Sequence, residues 1–293
     1  MAGQQKHNVD AHSGMATTGH EWDGIRELNT PLPRWWLWIF YATIVWSIGY
    51  WLVYPSWPFL TSYSQGLFGW HSREAVVRDL AGLTAIRGPM AVKLSSASLQ
   101  EIVGDPLLMD FARAQAKPIF NENCAGCHGT GGAGAKGYPN LNDDDWLWGG
   151  KLDDIAESIR YGVRSTDAKT RLGLMPAFGR DGMIKRPEIE AVSDYVRSLA
   201  RLPVDPNADV AAGAKVYADN CAACHGAAGK GNRELGAPDL TDAIWLYGSD
   251  KAAIVEGLWN GRGGVMPAWA GRLDDSTIKA LAIYVYSLSG GAR

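Results

Sequence analysis

All four cysteines of this 293-residue chain fall in two copies of one phrase. Asn123 to Gly134 reads NCAGCHGTGGAG, and Asn220 to Gly231 reads NCAACHGAAGKG. In each copy two thiols stand three residues apart and a histidine follows the second at once. C-x-x-C-H is the attachment sequence for c-type haem. Two thiols on one helical turn reach the two vinyl groups on one edge of the porphyrin, and the adjacent imidazole then lies beneath the iron. Cys124, Cys127 and His128 are the candidates for one covalently bound haem c, and Cys221, Cys224 and His225 for a second.

Three other chemistries use paired cysteines. A zinc site could draw on Cys124, Cys127, Cys221 and Cys224 as its four ligands, but it would leave both histidines idle and tie the two copies into one site. A thioredoxin-like redox pair expects a βαβ setting, whereas the surroundings here read as helical. A disulfide inside each pair would strain the three-residue spacing and again ignore the histidine. Two copies in two similar frames favour haem.

The sixth iron ligand separates electron carriers from gas binders. Each copy has a methionine well after the histidine, followed by Pro-Ala-aromatic: Met175 and Met266. A Met/His pair raises the potential of haem iron, and the soft thioether favours the ferrous state. Met90, Met109 and Met183 lack that context and read as packing residues. His7, His12 and His20 lie before the apolar segment discussed below, and His71 has no counterpart in the copies. The default pairing gives Met175 to the His128 haem and Met266 to the His225 haem. Two adjacent similar domains could instead exchange these loops, and the sequence leaves both arrangements open.

The elements that position these residues come as an internal repeat. IFNENCAGCHG matches VYADNCAACHG, YPNLNDDDWLWGG matches APDLTDAIWLYGS, MPAFG matches MPAWA, and YVRSLA matches YVYSLS. Helical signals in the second copy run from near Asp209 into the first cysteine, from a Ser249 cap to near Gly261, and from about 275 to 288 with a stop at Gly290. Counterparts in the first copy span 111–123, 153–161 and 187–199. The loops between are Gly-rich. The class is mostly α, with contiguous domains at 107–203 and 204–293 joined near Pro203 to Pro206. A domain of about ninety residues is marginal alone, so a covalently held macrocycle would supply buried surface that the chain lacks.

Hydrophobic residues make up 46% and charged residues 20% of the chain, a globular balance. A net charge of −3 offers no basic field for nucleic acid. Trp35 to Tyr54 contains no charge, and twenty residues at about 1.5 Å each reach roughly 30 Å, the hydrocarbon thickness of a bilayer. Aromatic residues crowd both of its ends, as at headgroup levels. Residues 34–55 therefore read as one transmembrane helix in contact with lipid. Arg34 and Arg26 precede the segment and no Lys or Arg follows until Arg73, which puts the N-terminus in the cytoplasm and both cysteine phrases outside. Residues 1–33 read mostly as a disordered cytoplasmic tail. Residues 56–106 read as a helical spacer, with helices over 71–84 and 98–103 and a break at Gly88-Pro89. The acidic run Asp143 to Asp145, with Asp153 and Asp154, reads either as a solvated loop or as a steering surface for a basic donor.

The frames CAGCHG…YPNL…W…MPAF and CAACHG…APDL…W…MPAW resemble class I cytochrome c domains. That resemblance implies that Pro139 and Pro238 accept a hydrogen bond from the proximal histidine, and that Trp146 and Trp245 line the haem pockets near the propionates. More specifically, DGIRELNTPLPRWW before one membrane span, then DPLLMDFARA, then GYPNLNDDDWLWGG, resemble the di-haem subunit III (CcoP/FixP) of cbb3-type cytochrome c oxidase. The resemblance implies an electron-transfer subunit of the bacterial inner membrane, with its haem domains in the periplasm. It would take electrons from a periplasmic cytochrome c or a cytochrome bc complex, and pass them to a mono-haem subunit and a catalytic haem–copper subunit that reduces O₂. Two other settings use similar parts: a free-standing membrane-anchored di-haem carrier, and a peroxidase or gas sensor with an open iron position.

Overall fold

Where the sequence predicts a disordered tail, the computed structural model, which describes residues 9–289, has a hairpin. Strand β1 (Thr17–Trp22) pairs antiparallel with β2 (Ile25–Leu28). Asp23 and Gly24 join them at φ 49° and 82°, the two positive values that a type I′ turn needs. Asp-Gly is a preferred pair for that turn. The signal is local and legible; the polar composition around it hides it.

Helix α1 (Arg34–Val53) starts from Pro33, whose φ of −58° suits the entry, and closes with the Tyr54 N–H on the Tyr50 carbonyl. It is apolar on every side and buries none of its residues in the protein. α2 (Ser72–Ser96) runs 25 residues straight through the predicted break at Gly88-Pro89. An interior proline loses a hydrogen bond and costs roughly 3 kcal/mol, so tertiary contacts must offset it. Leu94 is wholly buried. Lys93 Nζ lies 2.5 Å from Asp105 Oδ2, and the Ser95 and Ala97 carbonyls accept from Lys279 Nζ. The chain divides into two compact units, Met1–Ile86 and Arg87–Arg293, with the boundary inside α2 beside this proline.

In the second unit, α3 (Leu99–Gly104) begins with a capping box between Ser98 and Glu101 and buries Leu99 and Ile102. It is part of a core and not a spacer. α4 (Pro106–Asn123) starts earlier than 111, because Asp105 accepts from the Leu107 and Leu108 N–H groups and Pro106 suits a first helical position. Then follow α5 (Ala125–His128), α6 (Leu152–Tyr161), α7 (Arg186–Leu199), α8 (Val210–Asn220), α9 (Ala222–His225), α10 (Lys251–Asn260) and α11 (Asp275–Leu288). α10 is capped by Asp250, whose Oδ1 accepts from Ala253, and not by Ser249. The predicted stop at Gly290 lies outside the described residues.

Two cores form, and the repeats exchange parts to make them. The first combines α3, α4 and α6 with α11, the last helix of the second repeat. The second combines α8 and α10 with α7, the last helix of the first repeat. The matching aromatic pairs show the exchange: Phe120 meets Tyr284 and Tyr217 meets Tyr195, each at 5.2 Å between ring centroids. Ion pairs follow the same pattern, Arg160 with Asp275 and Lys251 with the buried Asp194 at 2.7 Å. The cut at 203/204 thus describes the repeat in sequence, whereas the packing units divide elsewhere. The second core is one stretch, about 175–261, and the first is built from the chain on either side of it. Consecutive elements are usually neighbours in space, and α7 and α8, joined by residues 200–209, pack in that way.

Candidate haem-attachment sites

Each C-x-x-C-H phrase straddles the end of one helix and a single further turn. Cys124 closes α4 and opens α5, with the Cys127 and His128 N–H groups both donating to its carbonyl at 3.1 and 2.9 Å. Cys221 stands between α8 and α9 with the same two bonds at 3.1 and 2.9 Å. The first thiol of each pair is sheltered and the second is exposed, and all four are free of disulfides. Burial pushes the Cys124 and Cys221 thiols up to about 11, the opposite of the lowered value of a redox-active pair. The two pairs belong to different cores.

The histidine rings are oriented alike. His128 Nδ1–H donates to the Pro139 carbonyl at 3.1 Å, and His225 Nδ1–H donates to the Pro238 carbonyl at 3.1 Å. A carbonyl only accepts, so Nδ1 carries the proton and Nε2 keeps its lone pair for a metal. Burial lowers the His225 pKa, against the pull of the Pro238 bond, which favours the neutral form that a metal ligand needs.

The two methionines sit across the exchange. The Met266 N–H and carbonyl pair with Val163 at 2.9 and 3.0 Å, just after α6 of the first repeat. The Met175 N–H and carbonyl pair with Arg262 at 2.9 and 3.0 Å, just after α10 of the second. Gly162 and Gly261 permit this approach: a Cβ at Gly261 would lie 2.6 Å from the Met175 carbonyl oxygen, and one at Gly162 would lie 2.8 Å from Ala268 N. Met266 therefore packs on the core that holds Cys124, and Met175 on the core that holds Cys221.

Trp146 and Trp245 also line these cores, but unequally. Trp245 Nε1–H donates to the Asp242 carbonyl at 3.2 Å. Trp146 Nε1–H is buried and has no partner. An indole donor is rarely left so, and an acidic group such as a haem propionate would satisfy it. Free thiols, two imidazoles with Nε2 unengaged, two thioethers and this orphaned donor together fit haem c.

The acidic run, which the sequence leaves open as a solvated loop or a steering surface, is not solvated throughout. Asp145 is half-buried, and burial, with Asp242, Asp143 and Asp239 nearby, raises its pKa to about 6. The sequence reading also missed Trp148, Tyr247, Arg164 and Arg262. The signal that could have found the first two is in the repeat: WLWGG and WLYGS place an aromatic at the same point of each copy.

Helices around C-x-x-C-H phrases, a proximal carbonyl on each histidine and a downstream Met-Pro define cytochrome c-like domains that bind haem c. Comparison with known proteins takes this further. The family model described as "Cytochrome C oxidase, cbb3-type, subunit III" matches residues 112–196 and 208–285, and that described as "N-terminal domain of cytochrome oxidase-cbb3, FixP" matches 14–61. The chain is 62% identical to the cbb3-type cytochrome c oxidase subunit FixP of Bradyrhizobium sp. (strain ORS 278), covering 97% of this chain and 98% of the relative. It is 50% identical to FixP of Rhizobium meliloti over 99% and 100%, and 46% identical to the subunit CcoP of Cereibacter sphaeroides over 94% and 95%. The chain belongs to the FixP/CcoP family of cbb3-type cytochrome c oxidase subunits. It is an electron-transfer subunit, with one helix among the described residues long and apolar enough to cross a membrane.

Proposed function

We propose that the chain carries two covalent haem c groups and relays electrons through them to the rest of the oxidase. Cys124 and Cys127 hold one haem with His128 as proximal ligand; Cys221 and Cys224 hold the other with His225. The distal ligands are exchanged: Met266 serves the His128 haem and Met175 the His225 haem. The observation that carries this pairing is the reciprocal backbone ladder that ties each methionine to the other repeat's core.

Haem iron, when bound, supplies one-electron chemistry between its ferrous and ferric states. The chain's own residues do the rest. The Pro139 and Pro238 carbonyls fix the imidazole tautomer and raise ligand basicity. The Met175 and Met266 thioethers would be soft donors to haem iron, favouring its ferrous state and leaving no open site for O₂, which would be reduced elsewhere. The cytoplasmic side takes the N-terminal hairpin, because Arg26 and Arg34 precede α1 and no basic residue follows until Arg73. The haem unit then faces the periplasm of a bacterial inner membrane. There a soluble cytochrome c or a cytochrome bc complex donates, and a mono-haem subunit and the haem–copper subunit accept. The chain has no oxidase activity alone.

The test removes one haem and then one methionine. In a Cys221→Ser/Cys224→Ser background, only the first haem remains. Adding Met266→Ala should let the reduced protein bind carbon monoxide, while adding Met175→Ala should not. The reverse result would return each methionine to its own repeat. A denatured wild-type chain that shows no haem on a gel would end the whole reading.

A further inference from the structure

The aromatic that follows each pocket tryptophan by two positions reaches away from its own repeat. Trp148 packs against Gly236 of the second repeat, whose missing side chain leaves the space that the indole fills; a Cβ there would overlap its ring. The same ring edge would lie 3.1 Å from a Cβ at Gly173, two residues before Met175. Tyr247 mirrors it: a Cβ at Gly137 of the first repeat would sit 3.3 Å from Tyr247 Cε1. The Gly137 N–H donates to the Leu246 carbonyl at 2.8 Å.

Gly236 and Gly137 are not arbitrary positions. Each stands two residues before the proline whose carbonyl receives the proximal imidazole N–H. Each lies in a tight turn closed by paired backbone bonds, Ala135 with Tyr138 and Asn232 with Ala237. Each aromatic is held in place by an arginine: Arg262 lies 4.2 Å over the Tyr247 ring, and Arg171 lies 5.5 Å over Trp148.

On the two-haem reading above, we infer that Trp148 and Tyr247 are crossed positioning residues. Each sets, from one repeat, the proximal histidine–proline hydrogen bond of the other repeat's haem. The physical route is short. The ring packs on the turn, the turn fixes the proline carbonyl, and the carbonyl sets how much electron density the imidazole gives to iron. Loosening the turn lengthens that bond and admits water, and either change shifts the balance between ferrous and ferric states. The crossing means that neither proximal site is set by its own repeat alone.

The experiment measures the two midpoint potentials of the full-length protein by optical redox titration. A Cys224→Ser background leaves one vinyl group unsaturated on the His225 haem, and the shifted absorption band of that haem tells the two couples apart. Trp148→Leu should change the ferrous-to-ferric ratio of the His225 haem about threefold at fixed poise, which at 59 mV per tenfold is about 28 mV. The His128 haem should not move. Tyr247→Leu should do the reverse, shifting only the His128 haem. Tyr247→Phe keeps the ring on Gly137 and should hold the wild-type values. If a leucine variant loses one haem, loss of the crossed haem supports the inference and loss of the haem in the same repeat overturns it. If Trp148→Leu holds neither haem, Trp148→Phe should give a smaller shift, again on the His225 haem alone. Shifts confined to the same repeat, equal shifts of both haems, or no shift would overturn the inference. Absence of haem from the wild type would instead sink the two-haem reading on which it rests.

Discussion

The two cores that hold the C-x-x-C-H phrases contain the same parts and acquire them differently. The second is assembled from one continuous stretch, with Met175, α7, α8 and α10 in chain order. The first waits for the end of the chain, because α11 and Met266 complete it. Their fillings differ as well. Tyr217 donates its hydroxyl to the Gly226 carbonyl at 2.8 Å, where the first core has Phe120 and no such bond to make. Trp245 is satisfied by backbone, whereas Trp146 keeps an unpaired donor. The lesson is that a sequence repeat need not be a packing unit: homologous helices can trade places when each fits the other's partner equally well.

The largest test of that comparison is truncation. Ending the chain at Leu273 removes α11 with Ile278, Leu281 and Ile283, all almost fully buried. At roughly 2–5 kcal/mol for each large aliphatic side chain lost, the first core should not survive. Haem should vanish from the His128 site and persist at the His225 site, as counted by pyridine haemochrome assay. Equal loss from both sites would break the distinction between a split core and a continuous one.

A single substitution sharpens it. Ile189→Ala in α7 is in the first repeat but should destabilise the second core, by about 2–5 kcal/mol. The denaturant midpoint followed through the His225 haem should fall while that of the His128 haem holds. Contiguous domains would give the opposite assignment.

The smallest effect concerns the acidic run. The Asp145 pKa is raised by burial, with the charges of Asp242, Asp143 and Asp239 adding to it. A carboxyl whose folded pKa exceeds its unfolded value favours folding when protonated. Its contribution is full below about pH 4 and is lost as pH rises through about 6. Asp145→Asn should raise the thermal midpoint slightly at pH 7 and flatten the pH dependence between those limits. A lower midpoint at pH 7 would contradict the burial argument.

Much of the site was legible because its chemistry is local. Cys124, Cys127 and His128 need only one helical turn to come together, so spacing alone singles them out as candidates. The long apolar helix α1 is equally local, since its length and lack of charge beyond Arg34 are properties of one segment. The hairpin at Asp23-Gly24 was legible too, but its turn signal sits in a polar tail. Pro89 shows the opposite case: a strong local breaker was overridden by Leu94 and by Lys279, which comes from the far end of the sequence. Trp148 and Tyr247 looked like ordinary repeat residues until their partners were known.

By itself the sequence determined the number of attachment phrases, the candidate ligands and the one long apolar segment, because each rests on residues close together along the chain. Only the tertiary structure decided which methionine and which last helix complete which core. The two copies are alike enough that local pattern gives no preference, so burial of α7 on α8 and of α11 on α4, with the backbone ladders at Met175 and Met266, makes the choice.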